Sequence, residues 1–237
     1  MERKYIDQES GNYRMIRKIV LLALLTGIVN SPALVAKEDK NMFQDKEIIR
    51  LVTDNHLQLV EKLLKAGTDV NTRDGEGRSL LLIATRNGGV AMAKLLVSSG
   101  ADVNLQDNIK DSPFLYAGAS GQTDLVQLFL KNGARFDVFN RYNGTALIPA
   151  CERGHVETVK LLSNTNKFPI NHVNRLGWTA LMEAVVLGNG SKKYQEIIAI
   201  LKAAGADLTI PDKDGKTALQ HARASGYTEI VRILEGR

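Results

Sequence analysis

Cys151, Glu152 and His155 fall within five residues of one another. A thiol beside an imidazole is the equipment of a covalent nucleophile, because the base can strip the thiol and leave a reactive thiolate. Two observations weigh against that chemistry here. Cys151 follows Ala150 at a helical position that accommodates small residues, where a thiol serves as a small apolar side chain. His155 begins the following helix, and a structural role accounts for it there. The other histidines are His56, His172 and His221. None of the four is followed three or four residues later by a second ligand, so no metal site is expected. Gly75-Glu-Gly77 and Gly188-Asn-Gly190 are turn glycines without the strand-then-helix setting of a phosphate loop. No catalytic residue, metal or cofactor is therefore assigned. An enzyme with a thiol–imidazole site near Cys151 and His155 stays open as an alternative.

The elements that would carry any site announce themselves by repetition. An Ala is followed four residues later by a Gly at Ala84/Gly88, Ala117/Gly121, Ala150/Gly154, Ala184/Gly188 and Ala222/Gly226. A period in the thirties marks a stacked array in which no unit buries its apolar face alone. Further columns fall into register. Gly67-Thr-Asp-Val-Asn71, Gly100-Ala-Asp-Val-Asn104, Gly133-Ala-Arg-Phe-Asp137 and Gly205-Ala-Asp-Leu-Thr209 are copies of one segment, with Pro169-Ile-Asn171 the shortened fifth. Next come Asp74, Asp107, Asn140, Asn174 and Asp212, whose side chains can close a tight turn by accepting backbone amides. Five residues further on, Ser79, Ser112, Thr145, Thr179 and Thr217 are placed to cap a first helix. The Ala column lets neighbouring helices approach. The Gly column is predicted to end each first helix in the left-handed conformation. Asn55 stands in for Gly in the first unit. Pro149 falls inside a first helix, where only the first turn tolerates it cheaply.

These columns resemble the ankyrin repeat family. Asp212-Lys-Asp-Gly-Lys-Thr-Ala-Leu-Gln-His-Ala222 followed by Gly226-Tyr-Thr-Glu-Ile-Val231 is close to the family pattern, as is Gly154-His-Val-Glu-Thr-Val-Lys-Leu-Leu162. The resemblance implies an all-α solenoid of helix–turn–helix units joined by β-hairpin loops, binding other proteins without a cofactor. It covers residues 43–237 in about six units, at 43–73, 74–106, 107–139, 140–173, 174–211 and 212–237. The segment Asn171 to Leu181, with the lengthened turn Gly188–Tyr194, is similar to a subgroup of bacterial ankyrin proteins. That turn is a second candidate surface.

The remaining residues read as an address. Arg14, Arg17 and Lys18 precede an apolar run from Ile19 to Val29, followed by Asn30-Ser-Pro-Ala-Leu-Val-Ala36 and the charged Lys37-Glu-Asp-Lys40. This is the pattern of a signal peptide over 1–36 with a 37–42 linker, and the apolar run is too short to span a bilayer. Met15 is a possible alternative start, and an uncleaved anchor stays open. A periplasmic or secreted location is expected. The single cysteine fits an oxidising compartment. Net charge is +5, with acidic and basic residues interspersed, so no basic stripe of the kind nucleic acid requires is present.

A partner is expected on the concave side, where the resemblance places hairpin tips and the outer positions of first helices. The candidate contacts are Tyr142 and Trp178 as anchors, Arg141, Arg153 and Arg175 as steering charges, and Ile109 and Leu176 beside them. Aromatic and Arg side chains dominate interface energetics. The expectation is a monomeric, non-enzymatic module holding a protein of unknown identity, with a secreted effector that binds a host protein as the alternative.

Overall fold

A computed structural model describes residues 32–236, with side chains from residue 43 onward. The address segment up to residue 31 lies outside the described residues. Pro32–Ala36 and the 37–42 stretch belong to a helix, α1 (Pro32–Thr53). Residues up to Glu47 group as one unit and Ile48–Arg237 as another. Eleven further helices complete the order: α2 (Leu57–Lys65), α3 (Leu80–Arg86), α4 (Val90–Ser98), α5 (Pro113–Ala119), α6 (Thr123–Lys131), α7 (Leu147–Arg153), α8 (Val156–Ser163), α9 (Ala180–Val186), α10 (Lys192–Ala203), α11 (Ala218–Ala224) and α12 (Thr228–Glu235). Among the described residues there are no strands, and no helix is long and apolar enough to cross a membrane.

From Ile48 onward the unit is a two-row stack. The first helices α3, α5, α7, α9 and α11 pack against one another in order, and the second helices form the other row. The Ala column sits where first helices meet, and all five alanines are buried. Leu80, Leu81, Leu96, Phe129, Leu147, Leu162 and Ile197 fill the layer between the rows, while Ile48, Leu51 and Val52 of α1 close one end of the core.

The loops between units are closed turns. In each, one side-chain oxygen accepts two amides: Asp74 from Glu76 and Arg78, Asp107 from Ile109 and Asp111, Asn140 from Tyr142 and Gly144, Asn174 from Leu176 and Trp178, and Asp212 from Asp214 and Lys216. A backbone bond closes the same turn, as from Asn174 N to the Trp178 carbonyl at 3.0 Å. The predicted β-hairpins thus shrink to these turns, with a single isolated bridge between Arg73 and Ser79 among the described residues.

Four of the five predicted caps form. Ser79, Ser112, Thr179 and Thr217 accept from the amides of Leu82, Leu115, Met182 and Gln220. Thr145 does not. Its hydroxyl is buried without a hydrogen-bond partner, and α7 starts two residues later. The cause is Pro149, which has no N–H to give the Thr145 carbonyl, so the first helical bond is missing. Thr179→Val should therefore lower stability by about 1 kcal/mol, while Thr145→Val should be neutral or slightly stabilising. Urea denaturation of the two variants measures the contrast; equal losses would show that Thr145 caps after all.

The left-handed glycines are found at Gly88, Gly121, Gly154 and Gly226, and Asn55 adopts the same conformation. Gly188 departs from the prediction. The extra residues of the fifth unit move the left-handed position to Gly190, at φ +72°. The insertion is tied down on both sides: Tyr194 donates its hydroxyl to the Glu152 carbonyl at 2.8 Å, and Tyr227 donates to the Gly188 carbonyl at 3.1 Å.

Candidate interaction groove

Residues three, four, seven and eight positions after each cap share one face of a first helix. In α5, α7 and α9 these faces and the adjoining turns enclose a groove of about 660 Å³. Its apolar part is supplied by Ile109, Tyr142, Leu176 and Leu187, each about half exposed. These large apolar side chains are gathered around one concavity rather than scattered singly over the surface.

The groove brings together five of the seven residues singled out in the sequence: Ile109, Arg141, Tyr142, Arg153 and Leu176. It does not include Trp178 or Arg175. Trp178 is half-buried and packs against the core. Its amide and carbonyl are both taken by Asn174 immediately before the Thr179 cap, which fixes its backbone in the turn. Arg175 donates to the Arg141 carbonyl at 3.1 Å, linking one turn to the next. Phe139 stacks on His172 with ring centroids 4.3 Å apart, so it serves turn-to-turn packing.

The groove's charges are segregated. Asp111 lies 3.3 Å from Arg141 and 4.0 Å from Arg86. Arg86 also sits over the Tyr116 ring at 4.9 Å, and Arg141 over Tyr142 at 5.2 Å. Burial raises the Asp111 carboxyl above its ordinary range, while Arg141, Arg86 and Arg153 pull it back down. Arg153 donates to the Ala119 carbonyl at 2.7 Å.

At the other side stands Glu183, which the sequence reading did not single out. It is only 4% exposed, and it lines the groove. Asn174 Nδ2 donates to its Oε1 at 2.8 Å. Burial, reinforced by the charge of Glu152, pushes its pKa up to about 7. The signal for it was a carboxylate set within the otherwise apolar helix Ala-Leu-Met-Glu-Ala-Val-Val of α9. Buried acids of this kind cluster at functional sites.

The Cys151 thiol and the His155 imidazole have a different setting. Cys151 is fully buried, and burial, with a contribution from Glu183, raises its thiol pKa well above normal. Such a thiol is protonated and inaccessible. His155 lies against Gly121 of the preceding unit, and burial lowers its pKa. Among the described residues no group of His, Cys, Asp and Glu could hold a metal ion.

Comparison with known proteins agrees with this architecture. A family model described as ankyrin repeats matches residues 48–140 and 114–212. The ankyrin repeat protein YahD of Escherichia coli is 44% identical over 94 residues, which are 40% of this chain and 47% of YahD. The chain thus spans less than half of that relative. Among solved structures, an ankyrin repeat domain from Acinetobacter baumannii is 48% identical with a TM-score of 0.78, covering 80% of this chain and 96% of that one. The ankyrin repeat protein EF0377 is 42% identical with a TM-score of 0.77, covering 79% and 96%.

Proposed function

We propose, from the premise that this chain belongs to the ankyrin-repeat family, that it is a non-enzymatic binding protein which holds a protein partner in the groove between its first helices and turns. Ankyrin repeats are protein–protein interaction modules, and the fold supplies a scaffold for that role. The observation that carries the specific reading is the clustering of Ile109, Tyr142, Leu176 and Leu187, all half exposed, around one concavity. Arg141 and Arg153 at its side are suited to steer an approaching partner and fix its register. The basic, then apolar, then small-residue pattern of residues 14–36 supports action outside the cytoplasm.

The test compares capture by the wild-type chain with capture by a Tyr142→Ala, Leu176→Ala double variant. Both side chains are half exposed, so the variant should fold, which circular dichroism checks. Exported and cytosolic fractions of the source organism are probed separately. A partner from the exported fraction should be retained at least tenfold better by the wild type. Equal retention would place binding outside the groove, and a partner found in the cytosolic fraction alone would overturn the export reading.

A further inference from the structure

Within the groove, the geometry points to a specific seat at the fifth unit: Glu152 and Glu183 together receive a Lys or Arg side chain of the bound protein segment, whose apolar residues lie on Tyr142, Leu176 and Leu187. This inference rests on the groove reading above and specifies its partner's chemistry.

The seat is built rather than incidental. Glu183 is nine-tenths buried, a position a carboxylate occupies only when something compensates it. What the protein supplies is one hydrogen bond. Asn174 is immobilised because its Oδ1 accepts from Leu176 and Trp178, so its Nδ2 points to Glu183 Oε1. Glu183 Oε2 receives no hydrogen bond among the described residues, and Glu183 lines the groove. Glu152, half-buried on the neighbouring helix α7, lines the same groove and adds a second negative charge.

The groove's own cations do not answer this pair. Arg141, Arg86 and Arg153 act on Asp111, whereas the charge that acts on Glu183 is Glu152. From the other elements packed on α9, His221 of α11 is bound to Asp212 at 2.6 Å, and Lys193 of α10 lies over the Tyr194 ring at 5.0 Å. Two acidic residues therefore line one cavity, and neither forms an ion pair with a protein cation among the described residues. A partner's ammonium or guanidinium would reverse both burdens on Glu183, the burial and the like charge. The apolar side chains next to the pair suit the methylene stem of Lys or Arg, which packs while its head reaches the acids.

Proton linkage gives the inference a distinctive signature. Glu183 is about half protonated near pH 7 in the free protein. A bound cation selects the carboxylate form, and apparent affinity follows the fraction already in that form. That fraction rises from about a tenth at pH 6 to about nine-tenths at pH 8, so the partner should bind about tenfold more tightly at pH 8.

The experiment pans a phage-displayed library of random dodecapeptides against the purified chain at pH 8. The same library is panned against Glu183→Gln, Glu152→Gln, and the Tyr142→Ala, Leu176→Ala variant, with each fold verified by circular dichroism. Glu183→Gln keeps the acceptor for Asn174, and Glu152 is half-buried, so at least one acidic variant remains interpretable. The expected result is a consensus with one fixed Lys or Arg beside apolar residues, lost with either acidic variant. Fluorescence anisotropy of the consensus peptide should show the tenfold pH effect in wild type and none in Glu183→Gln. Peptides that need Tyr142 and Leu176 but show no basic position would overturn this inference and leave the groove reading standing. Peptides indifferent to Tyr142 and Leu176, or no enrichment at all, would overturn both.

Discussion

Glu183→Gln should make the protein more stable at pH 8 by about 2–3 kcal/mol and leave its stability unchanged near pH 4. The argument is one of linkage. The ordinary carboxyl value is 4.5, and burial in α9, with Glu152 nearby, raises it to about 7 in the folded chain. Below 4.5 the group is protonated in both folded and unfolded states and has no effect on the balance. Above 7 it is ionised in both, and the folded state bears the whole burden of a buried charge. Stability is therefore lost as pH rises through the window from about 4.5 to about 7, by about 3 kcal/mol in all. Gln has nearly the same shape, still accepts from Asn174 Nδ2, and never ionises. Thermal unfolding of the two chains from pH 4 to pH 8 is the measurement. For a unit of this size the gap at pH 8 corresponds to about 5–10 °C in Tm. Parallel pH profiles for both proteins would mean that Glu183 does not titrate in a buried setting. The substitution that stabilises the chain is the same one expected to remove the partner's basic contact, a pattern typical of sites held for function.

What was legible in the sequence and what was not divide along a physical line. The turn-closing Asp and Asn residues and four of the five caps act through backbone amides two to four residues away. A linear reading captures such local bonds, and the structure forms every one of those turns. Thr145 failed because Pro149, four residues on, withdraws the amide that would start its helix. That conflict was also local, and the proline was visible. Gly188 failed because the extra residues around it shifted the left-handed position to Gly190, and the count along the chain cannot say which glycine absorbs an insertion. The settings of Trp178 and Glu183 were not legible in the same way. Both depend on which way a side chain turns relative to the next unit. The Trp packs against the core although its type suggested an anchor, and the buried acid was not singled out at all. The exposure of Tyr142, Leu176 and Ile109 was legible because their turns protrude in every unit, so it followed from the column alone.

Gly118→Ala should divide the stack. The residue lies in α5, one position after the Ala column, where the other units carry Thr85, Cys151, Val185 and Arg223. In a helix interior Ala is ordinarily better than Gly by about 1 kcal/mol. Here a methyl group would sit 2.7 Å from the Ala146 Cβ, 2.9 Å from its carbonyl oxygen and 3.2 Å from its Cα. Comfortable contacts between carbon atoms lie near 3.5–4.0 Å, and two of these three atoms are backbone, which cannot rotate away. The clash should outweigh the propensity gain and leave a net loss of about 2 kcal/mol. Because a solenoid's units are coupled only to their neighbours, a wedge between the third and fourth units acts on cooperativity as well as on stability. The single Trp, Trp178 in the fifth unit, reports the carboxy-terminal side, while far-ultraviolet circular dichroism reports all helices. In urea the two signals should coincide for the wild type and separate for Gly118→Ala. Gly88→Ala is the control: its φ of +68° makes Ala strained, but nothing lies within 4 Å of the added carbon. It should cost about 1 kcal/mol and leave the two signals coincident. Coincident transitions in Gly118→Ala, with stability unchanged, would show that α5 and α7 can slide apart freely. A groove built across that interface from Tyr116, Tyr142 and Glu152 would then have no fixed shape with which to select a partner.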